Sequence, residues 1–213
     1  MPQEYTSPQF TQYFRRKITA WATSHTSDFP WRKSHNKWHS LVAEIMLQRT
    51  RAEQVVPVYE KFCIQYPSPS DYANAPSAAT FSTLGLSWRE VQLRALSQIL
   101  SNKEIPANKQ ELLQLPGVGS YVASAYLSLH VGVREPIVDT NVVRLYGRFF
   151  GLSTDAETRR QKWIADLAER LTPARSFKIY NYAAIDFTRL VCKVRPLCDT
   201  CPLSRKCACL SQR

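Results

Sequence analysis

The chain runs Leu115-Pro116-Gly117-Val118-Gly119-Ser120-Tyr121 between a short segment, Asn108 to Gln114, and a longer apolar one, Tyr121 to His130. Two glycines two positions apart let a backbone turn tightly and come close to a partner. Ser120 is expected to cap the second segment, since a serine side chain accepts from the free N–H groups of a helix start. Those N–H groups point outward and suit an anion such as a phosphate. The local reading is helix, tight turn, helix. An ordinary helical corner would look the same in isolation.

Outward from this turn, helical periodicity dominates. Trp38, Leu41, Val42, Ile45 and Met46 repeat at i, i+3, i+4, i+7 and i+8, one buried helix face. Trp163, Ile164, Leu167, Ala168 and Leu171 repeat the pattern, and Ala95, Leu96, Ile99 and Leu100 suggest a third stripe. Pro67, Pro69, Pro76, Pro106 and Pro116 break the chain between such stretches. There are only 6 Gly and no Asn-Gly or Asp-Gly dipeptide, so hairpin signals are missing. The expectation is an all-α protein of roughly ten helices. It would have two lobes, one from 30 to 135 and the other from 9–29 together with 136–213. The first eight residues read as a loose tail, followed by a helix over about 9–26. A groove between helical lobes is a natural substrate site.

The 213 residues are enough for a buried core, and 44% are hydrophobic, which excludes a disordered chain. No run approaches eighteen apolar residues, so no membrane span is expected. The first ten residues lack the apolar and basic blocks of a secretory leader, and the protein is expected to stay where it is made. The net charge of +11, from 28 Lys+Arg against 17 Asp+Glu, favours a polyanionic partner. A solvated basic face with no partner is the other reading. Five of the 6 cysteines lie between 192 and 209. Clustered cysteines in a cytosolic protein usually bind metal, whereas disulfides are uncommon there. Cys192, Cys198, Cys201 and Cys207 space as C-x5-C-x2-C-x5-C, with Cys209 left over, and suit either a 4Fe-4S cluster or structural zinc. Cys63, far from the others, reads as a small core residue.

Asp139, at the start of a helical stretch, can cap it; a carboxylate there can equally stabilise a cationic sugar. Glu44 lies beside its helix's apolar stripe. It is either a solvated side chain or a group facing the groove, able to protonate or hold a departing base.

Several segments together resemble a known family. LPGVGSYVASA (115–125) resembles the hairpin of the helix-hairpin-helix (HhH-GPD) DNA glycosylase superfamily, which includes endonuclease III and the adenine glycosylases. Ile137-Val138-Asp139-Thr140-Asn141-Val142-Val143-Arg144 resembles the segment that holds the family's catalytic aspartate. Pro30-Trp31-Arg32, the stretch Glu44 to Thr50, and Gly85-Leu86-Ser87 with Arg94 also fit, in the family's order, from about residue 10 onward. The similarity is greatest to the mismatch-specific thymine/uracil branch.

The resemblance implies that Asp139 and Glu44 are catalytic. Tyr121 departs from the bifunctional members, which place a lysine there to attack the sugar; a phenol forms no Schiff base. A monofunctional enzyme is therefore expected, with Tyr121 closing the base pocket. Flipping would vacate a stack that Gln48 and Arg49 could fill. Gly117, Val118, Gly119 and Ser120 would meet the backbone, and Arg51, Arg89, Arg94, Arg144 and Arg148 are candidate phosphate contacts. The family carries C-x6-C-x2-C-x5-C at this place, so a 4Fe-4S cluster is implied on Cys192, Cys198, Cys201 and Cys207. The first gap is one residue short, and Cys209 could replace Cys207. The implied partner is double-stranded DNA, bound by a cytoplasmic, nucleoid-associated monomer. An adenine glycosylase acting opposite 8-oxoguanine or G is the alternative enzyme, although those usually carry a further C-terminal domain. A DNA-binding module without catalysis is the alternative of another class.

Overall fold

The computed structural model describes residues 7–76, 81, 84 and 88–211. The segment Gly85-Leu86-Ser87 and most of the N-terminal tail lie outside the described residues. Among the described residues the chain is helical and without strands. The α-helices are α1 Pro8–Ala22, α2 Lys37–Met46, α3 Ala52–Gln65, α4 Pro69–Ala73, α5 Trp88–Leu100, α6 Lys109–Leu112, α7 Ser120–Tyr126, α8 Thr140–Phe150, α9 Lys162–Leu171, α10 Phe177–Leu190 and α11 Ala208–Ser211. None is long and apolar enough to cross a membrane.

Short polar side chains start these helices. Ser7 accepts from Phe10 N, Asn36 from Trp38 N and His39 N, Asn108 from Glu111 N, and Asp139 from Val142 N. Each removes an orphan donor at a helix start. Ser68 and Asp71 cap α4 reciprocally. The first helix ends at Ala22, short of the expected 26. The next residue, Thr23, turns its hydroxyl back onto Ala20 O (2.8 Å), a local bond that competes with continuation of the helix.

Two compact units form, each with its own apolar core. One spans Asp28–Val133, and the other joins the segments up to Ser27 and from Arg134. In the first, Trp38, Leu41, Val42, Ile45 and Met46 of α2 are buried with Tyr59, Phe62, Tyr72, Val122 and Tyr126. In the second, Phe14 packs within 4.8 Å of Phe149 and 5.5 Å of Phe150, ring centre to ring centre, beside Ile164, Leu167 and Phe187. Each such side chain contributes about 1.5–3 kcal/mol by leaving water.

Helix α5 corrects the third stripe. Its buried face is Arg89, Leu93, Leu96, Ser97 and Leu100, and Ile99 is 40% exposed. Ser97 can sit inside because its hydroxyl donates to Arg94 O (2.8 Å). Arg89 can because backbone carbonyls receive it. A buried polar group with satisfied hydrogen bonds competes for a core position that apolarity alone would give to a neighbour.

Candidate active site

In the unit spanning Asp28–Val133, α6 leads through residues 113–119 into α7. Gly117 has φ +76, a left-handed conformation that costs a side chain about 1–2 kcal/mol. A Cβ there would also stand 3.3 Å from Gln92 Oε1. Val118 is buried and anchors the turn. The N-cap is Gly119, and Ser120 is instead the exposed first residue of α7, so serine makes no cap. Gly119 has an ordinary φ of −88, and a Cβ added to it would meet nothing within 4 Å. The fold thus requires glycine at 117 and leaves bare, approachable backbone at 119. Tyr121, half-buried, packs on the core beside it.

The turn between α2 and α3 lies against this hairpin. Gln48 Nε2 donates to Gly117 O (3.4 Å). Arg49 is exposed with φ 60, the one non-glycine residue with positive φ among those described. Arg89 is only 1% exposed and braces the turn from beneath, donating to Ile45 O (2.8 Å) and Gln48 O. Burial pulls its guanidinium down to about 10. A residue at this depth cannot meet a phosphate, which corrects its expected role. Arg94 is likewise given to Ala73 O and Ala75 O. Arg51 is exposed at the start of α3.

Glu44 is not a solvated side chain: it is 2% exposed. His130 Nε2 lies 2.9 Å from its Oε1, and the imidazole is 5% exposed. His130 falls on a π-helical turn, Leu127–Val131, that prolongs α7 and ends at Gly132. None of the sequence motifs includes this residue. The available signal was a single imidazole in an otherwise apolar helical run.

In the other unit, Asp139 caps α8, its Oδ1 accepting from Val142 N (2.7 Å). Its Oδ2 accepts from Asn141 Nδ2 (2.8 Å), and Asn141 Oδ1 accepts from Arg144 Nη1 (2.8 Å). Arg144 also donates to Cys192 O (2.9 Å) and Thr188 O (3.3 Å). Its fork is thus consumed by carbonyls at the end of α10, a correction to its assignment as a phosphate ligand. Arg148 does the same one turn later, with Val194 O at 2.9 Å and Cys192 Sγ at 3.7 Å. Capping and chemistry are compatible at Asp139, because each carboxylate oxygen has two lone pairs.

The C-terminal cysteines are all free thiols. Among the described residues, no three His, Cys, Asp or Glu side chains are drawn into metal-holding geometry. The donor chemistry still fits a thiolate-bound cluster. Burial raises the thiols of Cys192 and Cys207, and pushes Cys201 up to about 11. The charges of Cys192, Cys198 and Cys207 act on Cys201 in the same upward direction. A metal would hold them as thiolates there.

The family model of the HhH-GPD superfamily, base excision DNA repair proteins, matches residues 42–172. The chain belongs to that superfamily. It is 34% identical over 199 residues to the thymine/uracil-DNA glycosylase of Methanothermobacter thermautotrophicus, covering 90% of each chain. It is 36% identical over 205 residues to the thymine/uracil-DNA glycosylase of Pyrobaculum aerophilum, covering 90% of this chain and 88% of that one. An adenine DNA glycosylase of Buchnera aphidicola is 30% identical, but the match covers only 54% of it. Among solved structures, a thermostable thymine-DNA glycosylase aligns with a TM-score of 0.87 and 31% identity, covering 95% of this chain and 97% of that one. An endonuclease III–DNA complex aligns at 0.84 with 24% identity, covering 97% and 98%, a likeness of fold. The HhH-GPD match begins within α2 and includes the hairpin and α8, and therefore contains Glu44, Tyr121 and Asp139.

Proposed function

We propose that this HhH-GPD protein is a monofunctional DNA glycosylase that flips a mismatched thymine or uracil, opposite guanine, out of duplex DNA and hydrolyses its N-glycosidic bond. The observation that carries the reading is the similarity, over nine-tenths of both chains, to two proteins named as thymine/uracil-DNA glycosylases.

As the bond to the base lengthens, positive charge grows on the sugar. Asp139 stabilises that charge and orients the attacking water. The relay through Asn141 and Arg144 holds its carboxylate in one rotamer, which cuts the reorganisation needed at the moment of reaction. Glu44 holds the extruded base by hydrogen bonds. Tyr121 packs against that base and has no amine to capture the sugar, so the abasic product stays intact. Gln48 and Arg49 fill the vacated stack, and Arg51 contacts phosphate. Bare backbone at Gly119 and the first N–H groups of α7 meet a phosphate oxygen.

Cys192, Cys198, Cys201 and Cys207 would hold a 4Fe-4S cluster, whose bonds cross-link the loop and carry no step of the hydrolysis. Lys193, Arg195, Arg205 and Lys206 surround these ligands and supply positive charge toward DNA.

The test is excision on labelled duplexes containing G:T, G:U, A:8-oxoguanine, A:G or thymine glycol, each read with and without alkali. Cleavage of G:T or G:U after alkali alone is expected. Release of adenine moves the protein to the adenine-glycosylase reading, and strand breaks without alkali overturn the role of Tyr121. Binding without excision of any base leaves a non-catalytic module.

A further inference from the structure

The most unusual polar arrangement in the Asp28–Val133 unit is the pair of Glu44 and His130. Both side chains are almost completely removed from water, at 2% and 5% exposure, with the ring of Tyr126 beside His130 and Tyr59 within reach of the charge of Glu44. Burying a carboxylate and an imidazole together is costly, and well-packed apolar residues would serve stability as well. Such a pair therefore asks for a role beyond packing.

The backbone is also specialised at this point. Helix α7 widens into a π-turn over Leu127–Val131, where Gly132 N and Val133 N both reach Leu127 O (2.9 and 3.0 Å). Isolated π-turns are uncommon and occur often at functional sites. This one carries the histidine, and α2, which carries Glu44, packs against it. The ring of Tyr126 lies nearly parallel to His130 at 6.3 Å and supports the imidazole on one face. Only Oε1 of Glu44 is engaged by His130; Oε2 has no hydrogen-bond partner among the described residues.

We propose that His130 is a positioning residue for Glu44: its Nε2–H holds Oε1, so that Oε2 is the oxygen presented to the extruded base. In this arrangement the imidazole carries its proton on Nε2 and the carboxylate oxygen accepts it. The pair works as orienter and reader, and only Glu44 touches the base. This inference rests on the proposed action of Glu44 on the base.

The test compares His130→Gln, His130→Phe and Glu44→Gln with the wild-type chain. Gln can place an amide N–H near the position of Nε2, whereas Phe keeps the ring volume without a donor. Single-turnover excision is measured on a G:T duplex, and affinity on the same duplex carrying a tetrahydrofuran abasic analogue. His130→Phe is expected to slow excision by about 10- to 100-fold, the scale of a misplaced reacting group, with affinity unchanged. His130→Gln is expected to recover most of the rate. Should His130→Phe fail to fold, His130→Asn, whose amide is too short to reach Oε1, takes its place. Wild-type excision by His130→Phe, beside a loss in Glu44→Gln, overturns this inference alone. Equal slowing by Gln and Phe in step with lower melting temperatures also overturns it, because the role is then structural. Full excision by Glu44→Gln overturns the assignment of Glu44 and this inference with it.

Discussion

Glu44 and Asp139 are the two carboxylates proposed for the chemistry, and the two units hold them in opposite ways. Glu44 is sunk into an apolar core and relies on one distant partner, His130. Asp139 stands half-buried at the start of α8 and is held by its own helix, through Val142 N and Asn141. The first arrangement is costly to build and leaves a charge or dipole stranded when one member is lost. The second costs little, since capping a helix is stabilising in itself. Equal importance for catalysis can therefore coexist with very unequal importance for folding.

The sharpest challenge to this contrast is Asp139→Asn. Asparagine caps helices as well as aspartate does, so the melting temperature should hardly move. Excision should fall by about 10²- to 10³-fold, the loss typical of one transition-state stabiliser, with duplex binding retained. Wild-type excision by this variant would remove Asp139 from the mechanism. Glu44→Ala should behave differently. It loses excision and also about 1–3 kcal/mol of stability in urea titrations, because the imidazole of His130 is left buried without its partner. A variant as stable as wild type would contradict the burial argument.

The arginines extend the comparison. Arg89→Met frees the carbonyls of Ile45 and Gln48 and should cost about 2–3 kcal/mol, with Arg89→Lys a poor substitute for the fork. Unchanged stability in Arg89→Met would mean the turn does not depend on its brace. In the cysteine loop, Ser at 192, 198, 201 or 207 should abolish absorbance near ~400 nm, the region of thiolate-to-iron charge transfer, while Cys209→Ser keeps it. Loss in Cys209→Ser instead of Cys207→Ser would exchange the fourth ligand.

The smallest effects separate the hairpin glycines. Gly117→Ala should cost about 1–2 kcal/mol, from its positive φ and the nearby Gln92. Gly119→Ala should change stability by less than about 0.5 kcal/mol, as surface substitutions do, and weaken duplex binding. Unchanged affinity would mean that backbone at 119 is not approached by DNA.

Much of this was legible from sequence. The stripe in α2, the stripe in α9, the hairpin at 115–121 and the helix cap at Asp139 are patterns of spacing along one segment, and spacing follows from 3.6 residues per turn. The family resemblance likewise rests on short contiguous motifs, and the HhH-GPD match contains those from Glu44 onward. The misreadings share a different cause. Arg89, Arg94, Arg144 and Arg148 read as phosphate contacts by their charge, whereas the structure gives their N–H groups to carbonyls 19 to 48 residues away. Ile99 went to the core by its hydrophobicity, whereas Ser97 and Arg89 took the buried face.

What the amino-acid sequence by itself determined is what neighbouring residues decide together: which segments are helical, which carboxylate caps α8, and that position 121 offers a phenol and no amine. Only the tertiary structure decided that Glu44 shares its burial with His130, 86 positions away, and that Arg89 braces a turn 41 to 44 positions before it. Such partners are chosen by where packing brings two segments together and by the cost of leaving a polar group unpaired inside. Neither is written in the spacing of any one segment.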